Sequence, residues 1–174
     1  MCPSTDRDRQ EHFVSGEAFL SDRGLRRYSA AARTLSYAGR NAWITGRADE
    51  ARARMHRAAA TIEDDAYARA VVQLMSSYLH VMLIEPEQAA VLSAQAIATA
   101  AEHGFRQIGW WVRMPHGWAQ AQLGHPDEGA SLIRETLTTY RANGSVFLVP
   151  VFLTWLAEAQ ALGGAAACGR STKR

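Results

Sequence analysis

The chain has 174 residues, 48% of them apolar and 21% charged, with a formal net charge of +2. That composition is enough for one packed core and excludes wholesale disorder. Two cysteines near opposite ends, Cys2 and Cys168, exclude a disulfide scaffold, no apolar run is long enough to span a membrane, and the polar start MCPSTDRDRQEH lacks the apolar stretch of a secretory signal.

Residues 1–24 read as a flexible N-terminal segment. A first helix is expected over 26–45, ended by Thr45-Gly46-Arg47. A second, over 49–63, opens on Asp49-Glu50, whose carboxylates suit the positive end of a helix dipole, and closes at the acidic turn Glu63-Asp64-Asp65. The third is expected over 66–84, before Glu85-Pro86-Glu87, and the fourth over 87–102, before His103-Gly104. The fifth, over 106–123, contains Pro115 and predicts a kink near Met114. The sixth spans 127–142, ahead of Asn143-Gly144, and the seventh 146–162, ahead of Gly163-Gly164. A basic, disordered tail is expected over 165–174. Alanine is abundant, and period-two runs of β-branched residues are lacking, so the expected fold class is all-α. Short links between long helices favour antiparallel hairpins.

The chain also repeats. Gly39, Ser77, Gly117 and Ala157 follow one another at spacings of 38, 40 and 40. Gly46, Ile84, Gly124 and Gly164 keep the same register at the turn, and Ala51, Ala89 and Gly129 keep it in the next helix. Ala58, Ala96 and Thr136 follow two turns later. Small residues in facing columns let two helices approach closely. A hairpin built this way cannot bury its own outer face, so hairpins stack into an α-solenoid of about 3.5 repeats over 25–164.

The segments Gly117-Trp118-Ala119, Gly124-His125-Pro126-Asp127-Glu128-Gly129 and Gly46-Arg47-Ala48-Asp49-Glu50-Ala51 carry a small–bulky–small pattern that resembles the tetratricopeptide repeat. With Glu102-His103-Gly104 and Leu156-Ala157-Glu158-Ala159 they are similar to the C-terminal repeat region of large bacterial regulators, ATPases with an adenylate-cyclase or LuxR-type DNA-binding domain. The resemblance covers about residues 27–164 and implies an interaction module in the cytoplasm. HEAT-like pairs of similar period stay open as the alternative. The fourth unit stops after its first helix, and the chain has no room for a nucleotide-binding domain, so it reads as a truncated or stand-alone piece of such a regulator.

Motifs for catalysis are missing. The chain has no phosphate loop, no H-E-x-x-H, no C-x-x-C and no G-x-S-x-G, and its six histidines share no helical i,i+3 or i,i+4 spacing. His80 and His116 read as hydrogen-bonded helix residues. No cofactor and no metal is expected, and the chain reads as a non-enzyme. Arg23, Arg26, Arg27, Arg33 and Arg40 give a basic start, but without an aromatic platform or a helix-turn-helix nucleic acid is not the expected partner.

In the tetratricopeptide register the first helices line a concave groove for a protein or peptide. Helical stepping places Arg33, Arg40, Trp43 and Ile44 there from the first unit, and Leu74, Tyr78 and Met82 from the second. Trp111, Met114, Trp118 and Gln122 follow from the third, and Glu158 from the fourth. A small ligand sensed in the same groove, with the signal passed to an attached domain, is the alternative function. The helix over 146–162 carries Val146, Phe147, Leu148, Val151, Phe152, Leu153, Trp155 and Leu156, more apolar surface than one packed face uses, so self-association through it is expected.

Overall fold

The computed structural model describes residues 29–62, 64–146 and 148–171; the expected N-terminal segment 1–24 lies outside the described residues. Among the described residues seven helices follow in order: α1 (Ser29–Ile44), α2 (Ala48–Ala60), α3 (Ala66–Met82), α4 (Pro86–Glu102), α5 (Arg106–Gln122), α6 (Pro126–Ala142) and α7 (Val149–Ser171). There is no strand among the described residues, and the fold is all-α.

Local chemistry explains the boundaries. Asp65 caps α3, its side chain accepting from the Ala68 amide at 2.9 Å. Pro86 and Pro126 open α4 and α6, where an amide proton would have no helical partner. Five turns then leave their helices the same way. The amides of Arg47, Glu85, Phe105, His125 and Ser145 reach back to the carbonyls of Ala42, His80, Ala100, Gln120 and Tyr140. The residue before four of these amides is a glycine with positive φ, but before Glu85 it is Ile84, at φ 58°. A β-branched residue is strained there. Its side chain is 77% exposed, so no packing offsets the strain.

One expectation is corrected. Helix α7 does not stop at Gly163-Gly164; it runs on to Ser171, so most of the expected disordered tail is helical. A glycine inside a helix costs only about 1 kcal/mol, and the alanines that follow favour continuation. Gly163 also serves a neighbour: a Cβ built there would lie 3.1 Å from Asp127 Oδ1, at the start of α6. Pro115 lies inside α5, which runs as one helix from Arg106 to Gln122.

Each helix packs on the next, and the odd-numbered helices also pack on one another, α1 on α3, α3 on α5 and α5 on α7. The odd helices therefore make one continuous layer, with α2, α4 and α6 against it. The core lies between successive hairpins. Ala70, Leu74, Ala96, Ile108 and Val112 fill one section, and Met114, Trp118, Ile133, Leu137, Phe152 and Trp155 fill another.

Inside the hairpins the repeated small residues sit where the helices meet. A Cβ on Gly39 would lie 3.2 Å from the Ala51 carbonyl oxygen, and one on Gly117 would lie 2.8 Å from Ile133 Cγ1 and 3.0 Å from the Gly129 oxygen. One on Gly129 would overlap the Gly117 carbonyl. Ser77, Ala51, Ala89, Ala58 and Ala96 are fully buried. Ala157, in the same column, is exposed; among the described residues no helix follows α7 to lie against it.

A pair of substitutions checks this contact. Gly164 has no atom near its missing Cβ. Gly164→Ala should therefore stabilise the chain by up to about 1 kcal/mol through helix propensity. Gly129→Ala should destabilise it by about 1–3 kcal/mol through overpacking. Denaturant titration of both variants reads the two signs; a gain at both would show that the helices do not approach at Gly129.

Candidate functional site

The outer faces of the odd helices carry the bulky side chains that the hairpin interiors exclude. Tyr37 and Arg40 come from α1, and Leu74, Met75, Tyr78 and Met82 from α3. Trp111 comes from α5, Tyr140 from α6, and Leu148, Val151 and Phe152 from the entry into α7 and its first turn. Together they enclose a cavity of about 270 Å³. Its wall is apolar and aromatic except for the Arg40 guanidinium and the tyrosine hydroxyls.

Tyr78 organises the wall. Its ring lies 5.6 Å from Trp155 and 6.4 Å from Phe152, centroid to centroid, and Phe152 meets Tyr140 edge-on at 5.4 Å. Its hydroxyl donates to the Trp111 carbonyl at 3.1 Å. That carbonyl is free because its usual helical donor, four residues on, is Pro115. A proline inside α5 and a tyrosine on α3 thus complete one another. Burial, with the neighbouring Tyr140 adding to it, holds the Tyr78 hydroxyl above the ordinary phenol range, so it stays a donor.

Of the groove residues expected from the sequence, Arg40, Tyr78, Met82 and Trp111 come together in the cavity wall, with Leu74. Met114 and Trp118 do not; they are 1% and 3% exposed, in the core. Helix α7 lies over α5 and covers that stripe, which a repeat register alone does not reveal. Trp118 Nε1 donates to Glu158 Oε2 at 2.7 Å, so Glu158 ties α7 to α5. Trp43 packs on the section formed by Ala42, Ala51, Met55 and Leu79. Arg33 and Ile44 are exposed and Gln122 is half-buried; none of the three lines the cavity.

Six further residues line the cavity that the repeat register does not mark as groove residues: Tyr37, Met75, Tyr140, Leu148, Val151 and Phe152. Tyr37 was within reach, being one helical turn before Arg40. Tyr140 lies on a second helix of a pair, where the register looks for no groove residue.

Two polar clusters lie apart from the cavity. Glu85 accepts from Arg52 on one oxygen and bonds His80 Nδ1 with the other at 2.6 Å. The Arg52 hydrogen bond, more than that of His80, holds its carboxyl below the usual range against the effect of burial. The cluster ties α2 to the α3–α4 turn. Ser93 Oγ, fully buried, donates to the Ala90 carbonyl and lies 2.9 Å from His116 Nδ1. With its one proton spent on Ala90, Ser93 receives the bond from His116 and joins α4 to α5. Among the described residues no group of three or more His, Cys, Asp or Glu is placed to hold a metal ion, and no helix is long and apolar enough to cross a membrane.

Two measurements follow from this geometry. Tyr78→Phe leaves the Trp111 carbonyl without a donor and should cost about 1–3 kcal/mol. In a Pro115→Ala background residue 115 supplies an amide proton, so the same change should cost much less. A double-mutant cycle with additive effects would show that the two sites are not coupled.

His116 supplies the other. Burial lowers its pKa, so as pH falls through about 6.5 the unfolded chain takes up a proton before the folded chain does. The stability it contributes is complete at higher pH and is lost as pH falls toward its folded pKa. Denaturation midpoints of the natural chain should fall between about pH 7 and about pH 5.5, and His116→Gln should flatten that slope. Identical slopes would remove His116 as the cause.

No protein-family model matches the chain, and comparison with curated proteins and with solved structures gives no match either.

Proposed function

We propose that the chain is a non-catalytic binding module, an α-solenoid of tetratricopeptide-like hairpins that engages a protein partner through its odd-helix layer. The reading is supported by the register of small residues at the helix contacts and by the packing of each odd helix on the next. The observation that carries it is the cavity of about 270 Å³, walled by aromatic and methionine side chains from three hairpins and α7. Tyrosine, tryptophan and methionine give large, adaptable contact area, and such residues anchor protein interfaces. The module would serve a cytoplasmic regulator, relaying a contact to an attached ATPase, cyclase or DNA-binding domain. Self-association through α7 belongs to the same proposal. Phe152 and Trp155 are buried within the chain, so a second copy would use the remainder, Val151, Leu153 and Leu162, each about two-fifths exposed.

A second reading has one observation in its favour. The binding surface is a walled cavity rather than a flat face, which suits a sensed small ligand.

A displayed random-peptide library separates the two. The natural chain should enrich a family of peptides that Met82→Glu, with unchanged circular dichroism, does not. If no family is enriched, and small apolar compounds raise the thermal midpoint of the natural chain but not of Met82→Glu, the sensor reading replaces this one.

A further inference from the structure

The cavity specifies more than an apolar partner. It is small: ligand pockets typically run from about 300 to about 1,000 Å³, so about 270 Å³ suits one bulky side chain better than a large ligand. The Tyr78 hydroxyl proton is spent on the Trp111 carbonyl, so that hydroxyl has no donor left to offer. Among the described residues Arg40 is the sole charged side chain in the wall. Its guanidinium lies 5.8 Å from the centroid of the Tyr37 ring, and among the described residues no carboxylate pairs with it. Its neighbours on α2 differ: Arg52 pairs with Glu85 and Asp49, and Arg54 with Glu50. Arg33, two turns before Arg40 on the same face of α1, is exposed and likewise has no carboxylate among the described residues. A cation beside an apolar cavity, with no acid of its own, is complementary to an anion carried next to an apolar group.

Resting on the binding-module reading above, we infer that the partner is an acidic amphipathic protein segment. One bulky apolar side chain enters the cavity, and a carboxylate within about one helical turn of it meets Arg40. A second carboxylate, some 10 Å further along, meets Arg33, because two helical turns rise by about that distance. Specificity comes from the charge and affinity from the buried anchor.

The peptide selection tests this when repeated on full chains carrying Arg40→Gln and Arg40→Glu, each checked for unchanged circular dichroism. The natural chain should enrich Asp or Glu within one turn of a Trp, Phe or Leu. Arg40→Gln should lose the acidic enrichment and keep the apolar one, and Arg40→Glu should exchange the acids for Lys or Arg. In fluorescence anisotropy, replacing the acidic residue of an enriched peptide by Gln should weaken binding to the natural chain roughly tenfold and leave binding to Arg40→Gln unchanged. Apolar enrichment without acids, or acids indifferent to Arg40, overturns the inference and leaves the binding module standing. Failure to enrich any peptide overturns both. Tighter binding of a single-stranded oligonucleotide than of any enriched peptide, lost in Arg40→Gln, would assign Arg40 to phosphate and overturn the inference as well.

Discussion

The backbone contact between Gly117 and Gly129 fixes how close α5 and α6 lie, and the rest of the arrangement follows from that closeness. Helices that touch at small residues have no room between them for aromatic side chains. The bulky residues of the odd helices are therefore turned outward, where they must pack on the following hairpin. Gly39 against Ala51 imposes the same condition on α1 and α2. The apolar faces so exposed are buried against the neighbouring hairpin. The cavity arises where the outward faces of α1, α3 and α5 converge without filling the space between them.

Pro115 and Tyr78 show how an apparent defect becomes part of the wall. A proline in mid-helix removes one hydrogen bond and leaves a carbonyl unpaired. The Tyr78 hydroxyl crosses from α3 to accept that role as donor, and in doing so locks its ring against Phe152 and Trp155. One interaction therefore joins two hairpins, satisfies a backbone group and sets the shape of the cavity. Ile84 is a departure with no such compensation. It occupies a left-handed position that glycine fills in the neighbouring turns, and its side chain makes no buried contact in return.

Much of the fold was legible because it rests on local signals. Breakers such as Gly46, Pro86, Gly104, Pro126 and Gly144 placed the helix ends to within a few residues, and the columns through Gly39 and Gly117 marked the close contacts. The errors share a cause. Local propensity makes Gly163-Gly164 a stop, whereas Gly163 lies beside the start of α6 and the helix continues. Helical stepping along α5 points Met114 and Trp118 to the groove, but the cover that buries them is α7, thirty or more residues away. Arg40 and Tyr78 lie where the odd helices meet one another, so stepping placed them in the cavity wall. Tyr140 reaches the cavity from a second helix, a tertiary fact with no counterpart in its local sequence.

The cavity is the centre of the account, and the chain carries its own reporters for it. Of its five methionines, Met75 and Met82 line the cavity, while Met55 and Met114 are buried elsewhere in the core. The methyl resonances of isotope-labelled methionine, followed while an acidic peptide with a tryptophan anchor is added to saturation, read the site directly. Large shifts at Met75 and Met82, with Met55 and Met114 unmoved, are the expected result. A saturating peptide that leaves Met75 and Met82 unchanged, or that moves all four alike, would contradict the account.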